Sequence, residues 1–127
     1  DRDTAKRPLM GAVAARLSDL VVVTSDNPRS EDPDHIISEI RRGIDSSAPR
    51  DQRLRHLGIT DRQAAIEWAV DEAEPGDVAV IAGKGHETFQ VVGNERRPFD
   101  GRRVARAALA RRRARARVEC ESIEGDA

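Results

Sequence analysis

Two short runs, Leu20-Val21-Val22-Val23-Thr24 and Val78-Ala79-Val80-Ile81-Ala82, constrain this chain more than any other feature. A strand with one wet face alternates apolar and polar residues. Neither run alternates, so each reads as a strand covered on both faces, as in a parallel sheet flanked by helices. The sequence around them fits that reading. Lys6 to Ser18 carries Leu9, Met10, Val13, Ala14 and Leu17 at helical spacing, with Pro8 tolerated in the first turn. Asp32-Pro33 marks a helix start, with Asp as cap and Pro at the first helical position. That helix runs through Ile36, Ile37 and Ile40 and is expected to end near Gly43.

Further along, Asp45 to Arg53 is polar and reads as loop, and Leu54 to Ile59 can hold a short strand. Thr60 or Asp61 caps a helix through Ala64, Ala65, Trp68 and Ala69, and Pro75-Gly76-Asp77 is a turn. Thr88 to Val92 alternates like a strand, Gly93-Asn94 turns the chain, and Arg97 to Phe99 returns as its partner. Asp100 caps a last helix from about Arg102, ending in the arginine-rich stretch Ala110 to Arg117. The alternation of helices and strands predicts an α/β fold with a Rossmann-like, mainly parallel sheet and a C-terminal hairpin. Residues 1–117 are expected to form one domain, with 118–127 as a flexible tail.

Composition excludes several functions. The 22 basic and 23 acidic side chains leave a net charge of −1, which gives no general case for nucleic-acid binding. An RNA-binding stripe at Arg111 to Arg117 is the exception to weigh against a plain solvated helix face. One Cys and three His are too few for a structural zinc site, and the lone Cys120 has no internal disulfide partner. That usage predicts a reducing, cytoplasmic setting. No apolar run approaches the roughly 20 residues of a membrane span, and no signal-peptide pattern is visible. The chain opens on Asp1-Arg2-Asp3 without Met, so it is expected to be a piece of something longer.

In open α/β sheets, ligands sit beyond the carboxyl ends of the strands. Two polar segments occupy that position: Asp26-Asn27-Pro28-Arg29 after the first run, and Gly83-Lys84-Gly85-His86-Glu87 after the second. If both strands are parallel, the two loops face one ligand. Arg29 offers a planar fork matched to a carboxylate, and Pro28 restricts the loop that carries it. Asn27 supplies donor and acceptor groups, Glu87 can accept from an ammonium, and the glycines admit close approach to the main chain. The set suits a zwitterion such as the end of an amino acid. Asp-Asn-Pro is also an ordinary turn composition. Gly-Lys-Gly lacks the Gly-x-x-x-x-Gly-Lys-Ser/Thr pattern, so the chain has no P-loop of its own.

Taken together, Asp1-Arg2-Asp3, Lys6-Arg7-Pro8-Leu9-Met10-Gly11, Thr24 to Arg29 with Glu31-Asp32-Pro33, and Gly83 to Glu87 occur in an order that resembles the Mur ligase family. The resemblance covers roughly residues 1 to 109 and is to the C-terminal, amino-acid-binding domain of the diaminopimelate-adding branch. It implies ATP-dependent amide formation in peptidoglycan synthesis. ATP and Mg2+, and the UDP-muramoyl dipeptide, would be held by domains this chain lacks. It also implies that meso-diaminopimelate is bound by Arg2, Asn27, Arg29, Gly83 and Glu87, with Asp26-Asn27-Pro28-Arg29 as the selecting motif. No residue here is implied as catalytic or metal-binding, and Lys84 and His86 have no assigned role.

The sequence departs from the family pattern in three places, one of them Phe99-Asp100-Gly101-Arg102-Arg103, where the family's segment is more acidic. An apolar strand and Gly-rich turn that the family carries ahead of the segment matching Asp1 are absent, which would expose the edge of a neighbouring strand. The arginine-rich end and the acidic tail match nothing in the family. A stand-alone amino-acid-binding module, or an inactive remnant of a ligase, is the competing reading.

Overall fold

A computed structural model of the chain describes residues 5–47, 55–83 and 87–125. The chain is α/β, and its elements run α1 (Lys6–Leu17), β1 (Leu20–Val23), α2 (Pro33–Ser47), β2 (Arg55–Gly58), α3 (Arg62–Glu72), β3 (Phe89–Val92), β4 (Glu95–Pro98) and α4 (Gly101–Gly125). β1 and β2 pair in parallel, Leu20 opposite Arg55 and Val23 opposite Gly58. β3 and β4 form the expected antiparallel hairpin around Gly93-Asn94, with Val92 opposite Glu95. Gly93 has a φ of +59°, the left-handed conformation such a turn asks for.

The caps fall where local chemistry puts them. Asp32 Oδ1 accepts from the Asp34 N–H at 3.0 Å to open α2, Asp61 accepts from the Ala64 N–H at 3.1 Å to open α3, and Asp100 accepts from the Arg102 N–H at 3.0 Å to open α4. α2 does not stop at Gly43 but continues to Ser47. Gly43 is there for contact, not termination, because a Cβ on it would collide with the main chain of Pro8 in α1. Gly11 in α1 meets the Ile40 carbonyl in the same way, so the two helices cross on a pair of glycines.

That crossing decides which face of α1 is covered. Leu9, Met10, Val13 and Leu17, which share helical spacing, are 44 to 81% exposed. The buried residues are Arg7, Gly11 and Ala15. Apolar periodicity identifies a face but not the neighbour it meets, and α2 takes the small-residue face. The core beneath is Ala15, Val23, Ile37 and Ile44, with Val21 and Ile40 packed against it. On the other side Ala65, Ile66 and Val70 of α3 and Ala108 of α4 are buried.

Val78 to Ala82, expected as a second strand, has no strand pairing among the described residues, and Val78 and Val80 are 87% and 83% exposed. Among the described residues β1 is hydrogen-bonded to β2 alone, and no strand runs beside 78–82. Without a neighbour to pair with, an apolar run has nothing to make it a ladder. The mainly parallel sheet is therefore reduced to one parallel pair among the described residues. α4 also stays helical to Gly125, past the composition boundary at 117. Three of the arginines between 111 and 117 are engaged with α3. Arg112 Nη1 donates to the Val70 carbonyl at 2.6 Å, Arg115 pairs with Asp71, and Arg111 lies 3.7 Å from Glu67.

Candidate functional site

Asp26 to Arg29 leaves the carboxyl end of β1 and is held from two directions. On one side is the turn between β2 and α3. Ser25 Oγ donates to the Thr60 carbonyl at 2.9 Å, and the Ile59 N–H donates to the Val23 carbonyl at 2.9 Å. On the other side is the hairpin. Asn27 Oδ1 accepts from the Val91 N–H at 2.9 Å, Gln90 Nε2 donates to Ser25 Oγ at 3.1 Å, and the Gly93 N–H donates to the Arg29 carbonyl at 2.7 Å. Arg29 and Val92 form an isolated parallel bridge, so the loop adds a short edge to the hairpin.

Within this frame Arg29 stands out. Its φ is +56°, the only positive φ at a non-glycine among the described residues, and its side chain is exposed. Left-handed backbone at a residue with a Cβ costs free energy, and such outliers gather at functional sites. Pro28 beside it is buried. The loop thus spends backbone strain to present a guanidinium outward on a fixed base.

α1 braces the loop from behind. Arg7 forms a two-point pair with Glu31, Nη1 to Oε2 at 2.9 Å and Nη2 to Oε1 at 2.8 Å. The same Nη1 donates to Glu39 Oε2 at 2.9 Å. Hydrogen bonds from Arg7 are the largest influence on the Glu31 carboxyl, which sits at about 2, below its ordinary 4.5, and they hold Glu39 low as well.

Gly83 reaches the first loop even though the segment before it makes no strand. A Cβ built on Gly83 would lie 3.4 Å from Asp26 Oδ2, and its φ of +114° is one that glycine adopts without penalty. Between the two segments lies Arg62, the first residue of α3 and only 4% exposed. Its Nη1 donates to the Ser25 carbonyl at 3.3 Å and its Nη2 to the Ala82 carbonyl at 2.8 Å. Burial pushes the guanidinium below the usual arginine range, against the opposing pull of the Asp26 charge.

Of the residues singled out from sequence, Asp26, Asn27, Pro28 and Arg29 are thus gathered in one braced loop, and Gly83 is brought against it. Glu87 is partly buried just ahead of β3. Arg2, Lys84, Gly85 and His86 lie outside the described residues. The Asn27 carbonyl, expected to face a ligand, is committed to Val91. The sequence reading missed Arg62 and the hairpin's part in holding the loop. Arg62 did leave a signal: a cation in the first turn of a helix opposes the macrodipole, so its place must be justified by another contact. Among the described residues no group of three His, Cys, Asp or Glu is assembled as for a metal.

Comparison with known proteins identifies the class. Residues 1–85 match the family described as the Mur ligase, glutamate ligase domain. The chain belongs to the Mur ligase family. Over 112 residues it is 49% identical to the UDP-N-acetylmuramoyl-L-alanyl-D-glutamate--2,6-diaminopimelate ligase of Geobacillus kaustophilus (strain HTA426), covering 88% of this chain and 22% of that protein. Identity to the ligase of the same name from Syntrophomonas wolfei subsp. wolfei (strain DSM 2245B / Goettingen) is 52%, over 86% of this chain and 22% of that one. A solved structure of a ligase with this name superposes with a TM-score of 0.78 at 42% identity, over 89% of this chain and 22% of that chain. The chain therefore spans about a fifth of the length of the curated relatives it matches.

Proposed function

We propose that this chain is the amino-acid-recognition part of an ATP-dependent ligase that joins meso-2,6-diaminopimelate to UDP-N-acetylmuramoyl-L-alanyl-D-glutamate in peptidoglycan synthesis. The observation that carries the reading is Arg29, exposed on a strained but doubly braced loop, in a chain similar over 88% of its length to a ligase named for diaminopimelate. Diaminopimelate differs from lysine by one distal carboxylate. A planar guanidinium held in place can take that carboxylate in two-point geometry, and bound lysine would leave it unmatched. Gly83 admits the ligand close to the main chain, while Glu87 and Arg2 serve the remaining polar groups. Asn27 contributes from a side chain whose carbonyl also anchors the loop.

In this reading the acceptor carboxylate is activated by ATP and Mg2+ on parts of the ligase outside this chain, and the amino group supplied here displaces phosphate. Residues 1–117 are the working domain. The reaction belongs to the cytoplasm, where ATP is available. No helix among the described residues is long and apolar enough to cross a membrane. The exposed residues Leu9, Met10, Val13, Leu17, Val78 and Val80 are the surfaces that the rest of such a ligase would cover.

The test is an amide-forming assay with the complete ligase carrying this chain, given ATP, the UDP-muramoyl dipeptide and one amino acid at a time. Product with diaminopimelate and little with lysine is expected. Equal use of both contradicts the reading. Calorimetry on the 127-residue chain separates the alternative: tight binding of diaminopimelate by this chain alone marks a self-sufficient binding module.

A further inference from the structure

We infer that Arg62 is a positioning residue for the amino-acid site, its guanidinium fixing how far the Asp26–Arg29 loop stands from Gly83. The inference rests on the substrate reading above, and its carrying observation is independent of the motifs. Arg62 bridges the two site segments through main-chain carbonyls, Ser25 at 3.3 Å and Ala82 at 2.8 Å. These contacts join positions 37 and 20 residues away in sequence.

Three physical points make this more than mortar. A guanidinium is planar and presents its donors in a fixed fork, so displacing one carbonyl strains the bond to the other. A cation that is only 4% exposed is costly to bury unless hydrogen-bonded, so the bridge cannot be loosened cheaply. The segment it grips at Ala82 has no ladder to hold it, since 78–82 is unpaired among the described residues. A conventional strand end would be located by its sheet; here the arginine supplies a location. Gly83 then closes the gap, its missing Cβ falling 3.4 Å from Asp26 Oδ2 and 3.7 Å from Arg62 Nη2.

The test uses the complete ligase with Arg62→Lys and Arg62→Met, measuring kcat and KM separately for the amino acid, ATP and the UDP-muramoyl dipeptide. A point cation cannot span both carbonyls, so Lys should rescue only part of the function. Loss of the bridge should raise KM for the amino acid by roughly tenfold or more, as small misplacements of binding groups do, and leave the other two KM values within about twofold. An unchanged amino-acid KM in both variants overturns the inference, and so does a parallel rise in all three. If the Met variant does not fold, the Lys variant decides by the same split. A wild-type ligase that adds some other amino acid contradicts the substrate reading instead, and Arg62 is then judged on the KM of that amino acid.

Discussion

Arg29 pays for its position in backbone strain, and that makes a sharp prediction. Glycine at 29 would adopt the φ of +56° without penalty, and because the side chain is exposed no packing is lost. The relief of left-handed strain, about 1–2 kcal/mol, outweighs the roughly 0.5–1 kcal/mol that glycine costs through the unfolded chain. Arg29→Gly should therefore melt at the same temperature as wild type or slightly higher, while losing diaminopimelate use. A clear fall in melting temperature would mean that the arginine side chain holds the fold together. Sequence could reveal Arg29 and its fork, because Asp-Asn-Pro-Arg ends an apolar run. It could not reveal the left-handed backbone, which sits where the Arg29 N–H and carbonyl meet Val91 and Gly93 of the hairpin. Nor could it place Arg62 between two carbonyls that are 37 and 20 residues away.

At the scale of elements, the helices and the hairpin were legible because each carries its own local signals: Asp caps at 32, 61 and 100, and Gly93-Asn94 between two strands. The facing of α1 was not, because its contact with α2 is made by glycines rather than by its apolar stripe. A separate contact of α1, the Arg7–Glu31 ion pair to the loop, contributes to the pH response. Arg7 of α1 is the largest influence holding Glu31 at about 2 against an ordinary 4.5. A carboxylate with a depressed pKa in the folded state contributes stability that is fully present above its unfolded value. That contribution fades as pH falls toward the folded value. The brace between α1 and the loop should hold above pH 4.5 and weaken steadily toward pH 2. Melting temperatures of wild type and Glu31→Gln measured between neutral pH and pH 3 check this, with the wild-type curve falling more steeply. Coincident slopes would show that the pair contributes nothing to the acid response.

For the whole molecule, the α/β class followed from the two apolar runs, but only one of them became a strand. β1 found β2; Val78 to Ala82 has no strand neighbour among the described residues and stays exposed. Pairing is a property of two segments, so a single run cannot announce whether its partner is present. The candidate site survives that loss because its two halves are joined by side chains and not by a shared sheet edge. On the proposed reading, a braced arginine selects a second carboxylate. The most direct measurement compares kcat/KM for meso-diaminopimelate and for lysine in the complete ligase, with Arg29 and with Arg29→Ala. Sites that lose a built polar contact discriminate by up to ~10⁴-fold, so diaminopimelate use should collapse while lysine use stays near its low wild-type level. An equal fractional loss for both amino acids would contradict the account.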